Sequence, residues 1–303
     1  MKRMITRKIL IPPLKTICKR YASSSSTIIS DLIGNDTKNT LNTNMFQQEK
    51  VTDGLTKIDT GRGKRTGVPE AIYTSGKRPL HVREIMESMA NRRRNNSDEN
   101  NNNNNNNNIE PVIATRCSEE VFQFCSETID NLHYYENARI MTLKEDHERA
   151  QKQKETDNSN DTIRGKVCIV CAGTSDVNVA EEIAITLELQ STPRIQVERY
   201  YDIGVAGLHR MLSVLPELRD DENDVIVCCA GMDGALPSVL AGLVPQPIIA
   251  VPTSIGYGVS QGGMSALNSI LNSCSPGVGA LNIDNGFGAA CLVMKMIRPR
   301  GVH

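Results

Sequence analysis

Tryptophan is absent from the 303 residues, and aromatic side chains of all kinds make up only 4%. Stacking platforms for bases or sugars are therefore thin, which argues against a surface built to carry a single strand over aromatic rings. An excess of either charge is also lacking. Thirty-four Lys and Arg face 35 Asp and Glu, a formal net charge of -1, so the overall balance excludes a strongly basic nucleic-acid binder. No run of about 18 apolar residues occurs, and no transmembrane helix is expected. Cysteine, by contrast, is plentiful. Nine thiols, odd in number and spread along the chain, do not make the disulfide framework of a small secreted domain. They predict a reducing compartment and mostly buried thiols, with room for one reactive thiol among them. At 39% hydrophobic and 23% charged, the composition is that of one or two globular domains.

That composition averages unlike segments. Residues 1–30 carry Lys2, Arg3, Arg7, Lys8, Lys15, Lys19 and Arg20 among Met4, Ile5, Ile9, Leu10 and Ile17, with no acid before Asp31. This is the profile of a mitochondrial transit peptide, although Pro12-Pro13 interrupts any helix there. The alternative is a disordered basic tail, leaving the chain cytoplasmic. Residues 31–55 read as disordered. The Asn-rich tract 95–108 reads as a solvated loop with no apolar side chains to bury, and the charge-dense stretch 144–162 as a polar linker.

Between these segments, residues 56–143 form a small module. Pro79 opens a helix through Arg92 with Val82, Ile85, Met86, Met89 and Ala90 at helical spacing. Residues 111–115 read as a strand. Ser118 caps a second helix whose Glu119 and Glu120 sit at its positive end. One strand and two helices predict an appendage rather than a full domain.

Residues 163–298 have a different texture. Apolar runs at Val167–Ala172, Ile195–Tyr201, Val225–Ala230, Ile248–Val251 and Val278–Ile283 alternate with helical patterns. Near-continuous runs of Val, Ile, Ala and Cys separated by helices predict a parallel sheet covered on both faces. The expected fold is α/β: a doubly wound, mainly parallel five-stranded sheet in a flavodoxin-like three-layer sandwich, with the small N-terminal α/β appendage. Such sheets bind ligands beyond the carboxyl ends of their strands, so the residues just after each run are the candidates.

After the first run comes Gly173-Thr174-Ser175-Asp176, opening a helix. Glycine and hydroxyls at a helix N-terminus offer N–H and O–H donors to a phosphate; a plain N-cap by Ser175 or Asp176 is the simpler alternative. The segment is neither a dinucleotide GxGxxG nor a Walker loop. The second run is followed by Gly204-Val205-Ala206-Gly207-Leu208-His209-Arg210. The third is followed by Gly231-Met232-Asp233-Gly234-Ala235-Leu236-Pro237, and the fourth by Thr253-Ser254-Ile255-Gly256-Tyr257-Gly258. Ordinary βα turns explain one or two of these glycines. So many at one rim predict backbone closely approached by a ligand. Cys168-x-x-Cys171 has the spacing of a redox or metal pair, but on a strand an odd separation turns the two side chains to opposite faces. No metal site is expected there.

These segments carry a resemblance. AGTSD at 172–176, VAGLHR at 205–210, AGMDGALPSVLAGL at 230–243, VPTSIGYG at 251–258, LNSCSPGV at 271–278 and NIDNGFGA at 282–289 resemble the LarB family. The N-terminal module adds Asp59, Arg65 to Glu70, Gly76-Lys77 and Ala114-Thr115-Arg116 in LarB-like order. LarB enzymes are pyridinium-3,5-biscarboxylic acid mononucleotide synthases that begin biosynthesis of a nickel pincer cofactor. Their C-terminal half is similar to PurE, the aminoimidazole ribonucleotide carboxylases and mutases.

The resemblance implies carboxylation of nicotinic acid adenine dinucleotide at C5 and cleavage of its phosphoanhydride to release AMP. The family nucleophile corresponds to Cys274. Its thiolate would add at C4 of the electrophilic ring, giving an enamine nucleophilic at C5 that attacks carbon dioxide. Asp233 and His209 are the proton-transfer candidates. The family usually carries Glu where Asp233 stands, which shortens the reach by one methylene. Arg210 is expected near the ribose phosphate. Gly173, Thr174, Ser175, Asp176, Gly231, Gly234, Thr253, Ser254, Gly256 and Gly258 are expected to line the substrate site. No tightly bound cofactor is implied. Carbon dioxide or bicarbonate is the co-substrate, and Mg²⁺ bridging phosphates is compatible with such sites.

Two alternatives stand beside this reading. One is PurE chemistry on aminoimidazole ribonucleotide in purine biosynthesis, but the PurE histidine after the third strand is replaced by the Asp233-Gly234-Ala235-Leu236-Pro237 stretch. The other is a non-catalytic nucleotide-binding protein. The expected partners are a small nucleotide substrate and further copies of the chain, an octamer by analogy with PurE, with neither nucleic acid nor membrane.

Overall fold

The computed structural model describes residues 47–100, 110–155, 163–190 and 194–297. The basic leader at 1–30 lies outside the described residues, as do most of 31–55 and the tract 101–109. Among the described residues, no helix is long and apolar enough to cross a membrane.

The C-terminal part is built on five strands, β7 (Ile163–Cys171), β8 (Arg194–Tyr200), β9 (Asn223–Ala230), β10 (Ile248–Pro252) and β11 (Val278–Ala280). All neighbours pair in parallel. Their order, β8-β7-β9-β10-β11, is the flavodoxin-like one, with its topological switch between β7 and β9. Strand alternation divides the central residues cleanly. Val167, Ile169 and Cys171 face α5 (Val177–Gln190) and α10 (Gly286–Met296), packing on Ala180, Ile183, Leu187, Ala290 and Val293. Cys168, Val170, Ile226 and Cys228 face the other way, onto Met211 of α6 (Leu208–Ser213), Leu218 of α7 (Leu215–Leu218), and Leu236 and Leu240 of α8 (Leu236–Ala241). A ninth helix, α9 (Met264–Leu271), joins β10 to β11. Cys168 and Cys171 lie in these two different cores, so they cannot act as a pair.

The N-terminal module is larger than one strand and two helices. A hairpin of β1 (Gln48–Val51) and β2 (Thr56–Asp59) starts inside the segment expected to be disordered; buried Ile58 holds it to the module's core. After α1 (Arg62–Thr66) comes a four-stranded sheet in the order β3-β4-β6-β5. Its strands are β3 (Ile72–Tyr73), β4 (Ile113–Thr115), β5 (Leu132–Tyr135) and β6 (Ile140–Leu143). β3 and β4 run parallel; the others are antiparallel. The expected helices are present. α2 spans Pro79–Asn100, and α3 spans Glu119–Ser126 with Ser118 accepting from the Val121 N–H. α2 runs past Arg92 into the Asn tract, because its buried Val82, Ile85, Met86 and Ala90 secure a nucleus that each further residue extends with one hydrogen bond.

The polar linker expected at 144–162 is instead α4, Lys144–Glu155. Its charge density hid a docked face. Asp146 is 1% exposed, accepts from the Val112 N–H at 3.1 Å, and forms ion pairs with Arg93 at 2.5 Å and Arg149 at 3.1 Å. Ala150 of the same helix packs with Ile113 and Ile140 against Ile185 and Leu189 of α5. Lys154 pairs with Glu188 of α5 at 2.8 Å. The module is thereby fastened to the C-terminal domain along one side of the sheet.

Candidate active site

The carboxyl ends of β7, β9, β10 and β11 converge on one carboxylate. Asp176 sits in a short 3₁₀ turn, Thr174–Asp176, just after β7. It is 4% exposed. Its Oδ2 accepts from the Gly173 N–H at 2.9 Å and its Oδ1 from the Thr253 hydroxyl at 2.5 Å. The Gly231 N–H also bonds to it. Hydrogen bonds to a charged group contribute about 1.5–3 kcal/mol each. Burial still wins: desolvation holds the Asp176 carboxyl above the usual carboxylate range, although these donors and the nearby Asp284 charge modify it.

Two of the residues expected to line the substrate site bond each other. Thr253 is wholly buried, and its hydroxyl is committed to Asp176. Together they tie the β7 turn to the end of β10. Gly231 belongs to the same knot. A methyl group there would lie 2.6 Å from the Thr253 hydroxyl, so glycine is needed for close approach rather than for flexibility. Gly234, at φ +60°, sits where the backbone takes a left-handed turn into α8.

Other expected residues are disposed around this knot with polar atoms open to solvent. Thr174 and Ser175 are exposed at the start of the α5 segment. Ser254 follows Thr253 at the surface, and its N–H donates to Asp284 Oδ1 at 2.7 Å. Gly256 and Gly258 continue the same loop, Gly258 at φ +59°. Asp233 is exposed and accepts from the Ala235 N–H at 3.3 Å, at the entry to α8. His209 is exposed in the first turn of α6. Arg210 beside it pairs with Asp202, which follows β8.

Backbone strain gathers at the same ends. Asp202, Met232 and Asp284, after β8, β9 and β11, all have φ between 53° and 57°. Each such non-glycine residue costs about 1–3 kcal/mol, and strain of that kind persists where the surrounding structure over-determines it. No group of three His, Cys, Asp or Glu among the described residues is arranged to hold a metal ion.

Cys274 lies at another edge of the sheet. It follows α9, and the turn at 272–277 leads into the amino end of β11. The Gly277 carbonyl accepts there from the N–H of Ile248, the first residue of β10. Ser254 and Asp284 lie at the opposite ends of these two strands, so Cys274 does not stand on the rim with Asp176. The turn is held rigidly: the Ser238 hydroxyl of α8 bonds the Ser273 hydroxyl at 2.8 Å, and the Ser275 hydroxyl donates to the Ser238 carbonyl at 2.8 Å. Cys274 itself is exposed. The other thiols differ in kind. Burial pushes Cys117 and Cys168 up to about 12 and Cys125, Cys171 and Cys291 up to about 11. Cys228 and Cys229 lie well above their ordinary value.

A contact that residue types alone did not reveal joins the two parts of the chain at the rim. Arg116, just after β4 and at φ +53°, donates to the Asp284 carbonyl. Its Nε lies 4.0 Å from Glu182 of α5. Glu182 is 4% exposed, and desolvation raises its carboxyl to about 7 against the opposing pull of Arg116 and the Phe287 and Gly286 N–H groups. The ATR and NIDNGFGA segments contained the signal, but nothing local indicated that they meet.

Comparison with known proteins agrees with this two-part construction. Residues 49–96 match the family model described as LarB/PurE-like N-terminal domain, and residues 166–300 match AIR carboxylase. A relative from Methanocaldococcus jannaschii, described as an uncharacterized protein, is 36% identical over 80% of this chain and 84% of its own. The chain belongs to the LarB family, with a PurE-like domain.

The PurE-like part of this LarB-family chain is also similar to curated enzymes. The N5-carboxyaminoimidazole ribonucleotide mutase of M. jannaschii is 29% identical over 43% of this chain and 78% of its own. That of Pyrococcus abyssi is 31% identical over 44% and 73%. Among solved structures, a crystal structure of a Treponema denticola PurE2 variant is similar at 23% identity and a TM-score of 0.34, covering 43% of this chain and 77% of its own. The LarB-family chain is an enzyme of the AIR carboxylase class.

Proposed function

We propose that this enzyme carboxylates the pyridinium ring of nicotinic acid adenine dinucleotide at C5 and hydrolyses the phosphoanhydride. The products are pyridinium-3,5-biscarboxylic acid mononucleotide and AMP. The Cys274 thiolate adds to C4 of the ring, whose positive nitrogen accepts the electron pair. The resulting enamine attacks carbon dioxide through C5. A base then removes the C5 proton and the C4–S bond breaks, returning the thiolate and restoring the aromatic ring. Water supplies the oxygen that cleaves the phosphoanhydride. Asp233 and His209, both exposed, are the groups available for proton transfer. Thr174, Ser175 and Arg210 are the donors we assign to phosphate.

The observation that carries this reading is the contrast among thiols. Cys274 is the one exposed cysteine among the described residues, and it is also the cysteine of the LNSC segment. Because it enters from the amino end of β11, we propose that it serves the rim of another copy in a homo-oligomer, an octamer by the PurE analogy. Exposed Tyr257, Val259, Met264 and Leu271 supply apolar surface for such contacts. The cell compartment we propose is the mitochondrion, on the basic leader.

The experiment is direct. Purified protein given nicotinic acid adenine dinucleotide and bicarbonate should release AMP and the dicarboxylated mononucleotide, and Cys274→Ala should abolish both. The mutase relatives favour a second reading, carboxyl transfer on aminoimidazole ribonucleotide. Turnover of that substrate instead would overturn the proposal.

A further inference from the structure

The turn that carries Cys274 is fastened at both ends by its own backbone and in the middle by another helix. At its start Asn272 closes α9. Its N–H donates to the Asn268 and Ser269 carbonyls at 3.1 and 3.2 Å, and its side-chain amide to the Asn268 carbonyl at 2.7 Å. At its end Pro276 restricts the backbone, and Gly277 takes a left-handed conformation at φ +90° that favours glycine. Within the chain, apolar packing does not fix the turn, since Leu271 before it is 64% exposed. Its middle depends on hydrogen bonds.

Among the described residues, the side-chain bonds that reach 273–275 from outside the turn all end on Ser238 of α8. The Ser238 hydroxyl donates to the Ser273 hydroxyl at 2.8 Å. That hydroxyl also accepts from the Ser275 N–H at 3.3 Å, and the Ser275 hydroxyl donates to the Ser238 carbonyl at 2.8 Å. Three hydrogen bonds thereby close a ring through both neighbours of Cys274. The ring has a cause in α8. The Gly242 N–H closes that helix on the Val239 carbonyl at 3.2 Å, which leaves the Ser238 carbonyl, one of the last four, for an outside donor. Ser273 and Ser275 are drawn inward and half-buried, while Cys274 between them is exposed. With both neighbours held inward, the thiol is held outward.

We infer that Ser238 is the positioning residue of Cys274: through Ser273 and Ser275 it fixes the direction from which the thiolate adds to the pyridinium ring. The inference rests on the covalent addition proposed above. In that step the thiol proton has gone to solvent, the sulfur electron pair forms the S–C4 bond, and a ring pair moves onto the positive nitrogen. Nothing is oxidised and nothing leaves, so orientation of the two reacting atoms is what the protein can supply. A thiol offered to another copy must have its direction set within its own chain, and the ring through Ser238 sets it.

The test follows the adduct itself. A dihydropyridine absorbs in the near ultraviolet where the pyridinium does not. The full chain mixed with nicotinic acid adenine dinucleotide in buffer free of carbon dioxide should develop this band, and Cys274→Ala should not. Ser238→Ala and Ser273→Ala should each slow its appearance by about tenfold to a hundredfold, the cost of a misdirected reacting group. In full turnover kcat should fall with KM for the dinucleotide unchanged, rates being taken per folded protein as measured by circular dichroism. The double variant should be no slower than the slower single one, because both changes remove the same bond. A band appearing in Ser238→Ala at the wild-type rate, a raised KM with kcat unchanged, or multiplied losses in the double variant would each overturn the inference and leave the proposed function standing. No band in the wild-type protein would overturn the covalent addition and the inference with it.

Discussion

Replacing Glu182 by Gln removes the one carboxyl at the junction that burial raises from 4.5 to about 7. For an acid with a raised folded-state pKa, the folded protein holds the proton more tightly than the unfolded chain. The contribution to stability is complete below 4.5, falls as pH rises, and is lost once pH has passed through about 7. At one pKa unit per 1.36 kcal/mol, this group alone makes the protein about 2.5 kcal/mol less stable at pH 8 than at pH 5. Glutamine carries no charge at either pH, and its carbonyl can still accept from the Gly286 and Phe287 N–H groups.

Urea unfolding followed by circular dichroism, for both proteins at pH 5 and pH 8, isolates the effect. Asp176 and Asp146 are also raised by burial, but they are common to both proteins and cancel in the difference. The pH-dependent part of the stability should shrink by about 2.5 kcal/mol in Glu182→Gln. The variant should lose most at pH 5, relative to wild type, and least at pH 8. A pH dependence identical in the two proteins would refute the reasoning. It would mean that water or the Arg116 charge keeps Glu182 ionised through the whole range.

Two further outcomes follow from buried groups. Asp146→Ala should destabilise the protein by about 3–5 kcal/mol, since it removes the buried carboxylate that Arg93 and Arg149 share and leaves the Val112 N–H without its acceptor; thermal unfolding measures it. Native protein treated with a maleimide and mapped by mass spectrometry should label Cys274 at once, whereas Cys168, Cys171, Cys228 and Cys229, buried in the two cores of the sheet, should label only after unfolding.

The large sheet was legible because it is covered on both faces. A strand with helices on each side must be apolar at every position, so Val167–Ala172 and Val225–Ala230 announce themselves without alternation. The N-terminal module has no such redundancy. Its β5 reads Leu132-His133-Tyr134-Tyr135, with only Leu132 buried, too short and too mixed to stand out. In α4, one buried carboxylate and one alanine define the docked face, against ten other residues whose polarity points to solvent. Hydrophobic periodicity cannot detect an element attached by charge. The Arg116–Asp284 contact spans 168 positions in sequence, and only the three-dimensional pairing of the two sheet ends brings it together.

The rim shows a subtler limit. Residue type and position after a strand identified Asp176 and Thr253 as polar groups at the right edge of the right sheet. They do not reveal whether a group's hydrogen-bonding capacity remains open. Asp176 already takes three donors, from Gly173, Thr253 and Gly231, which its residue type and place after a strand do not announce. The Asp176 knot fixes the 173–175 turn to the end of β10, so Asp176→Asn, which can accept at one atom only, should loosen that turn.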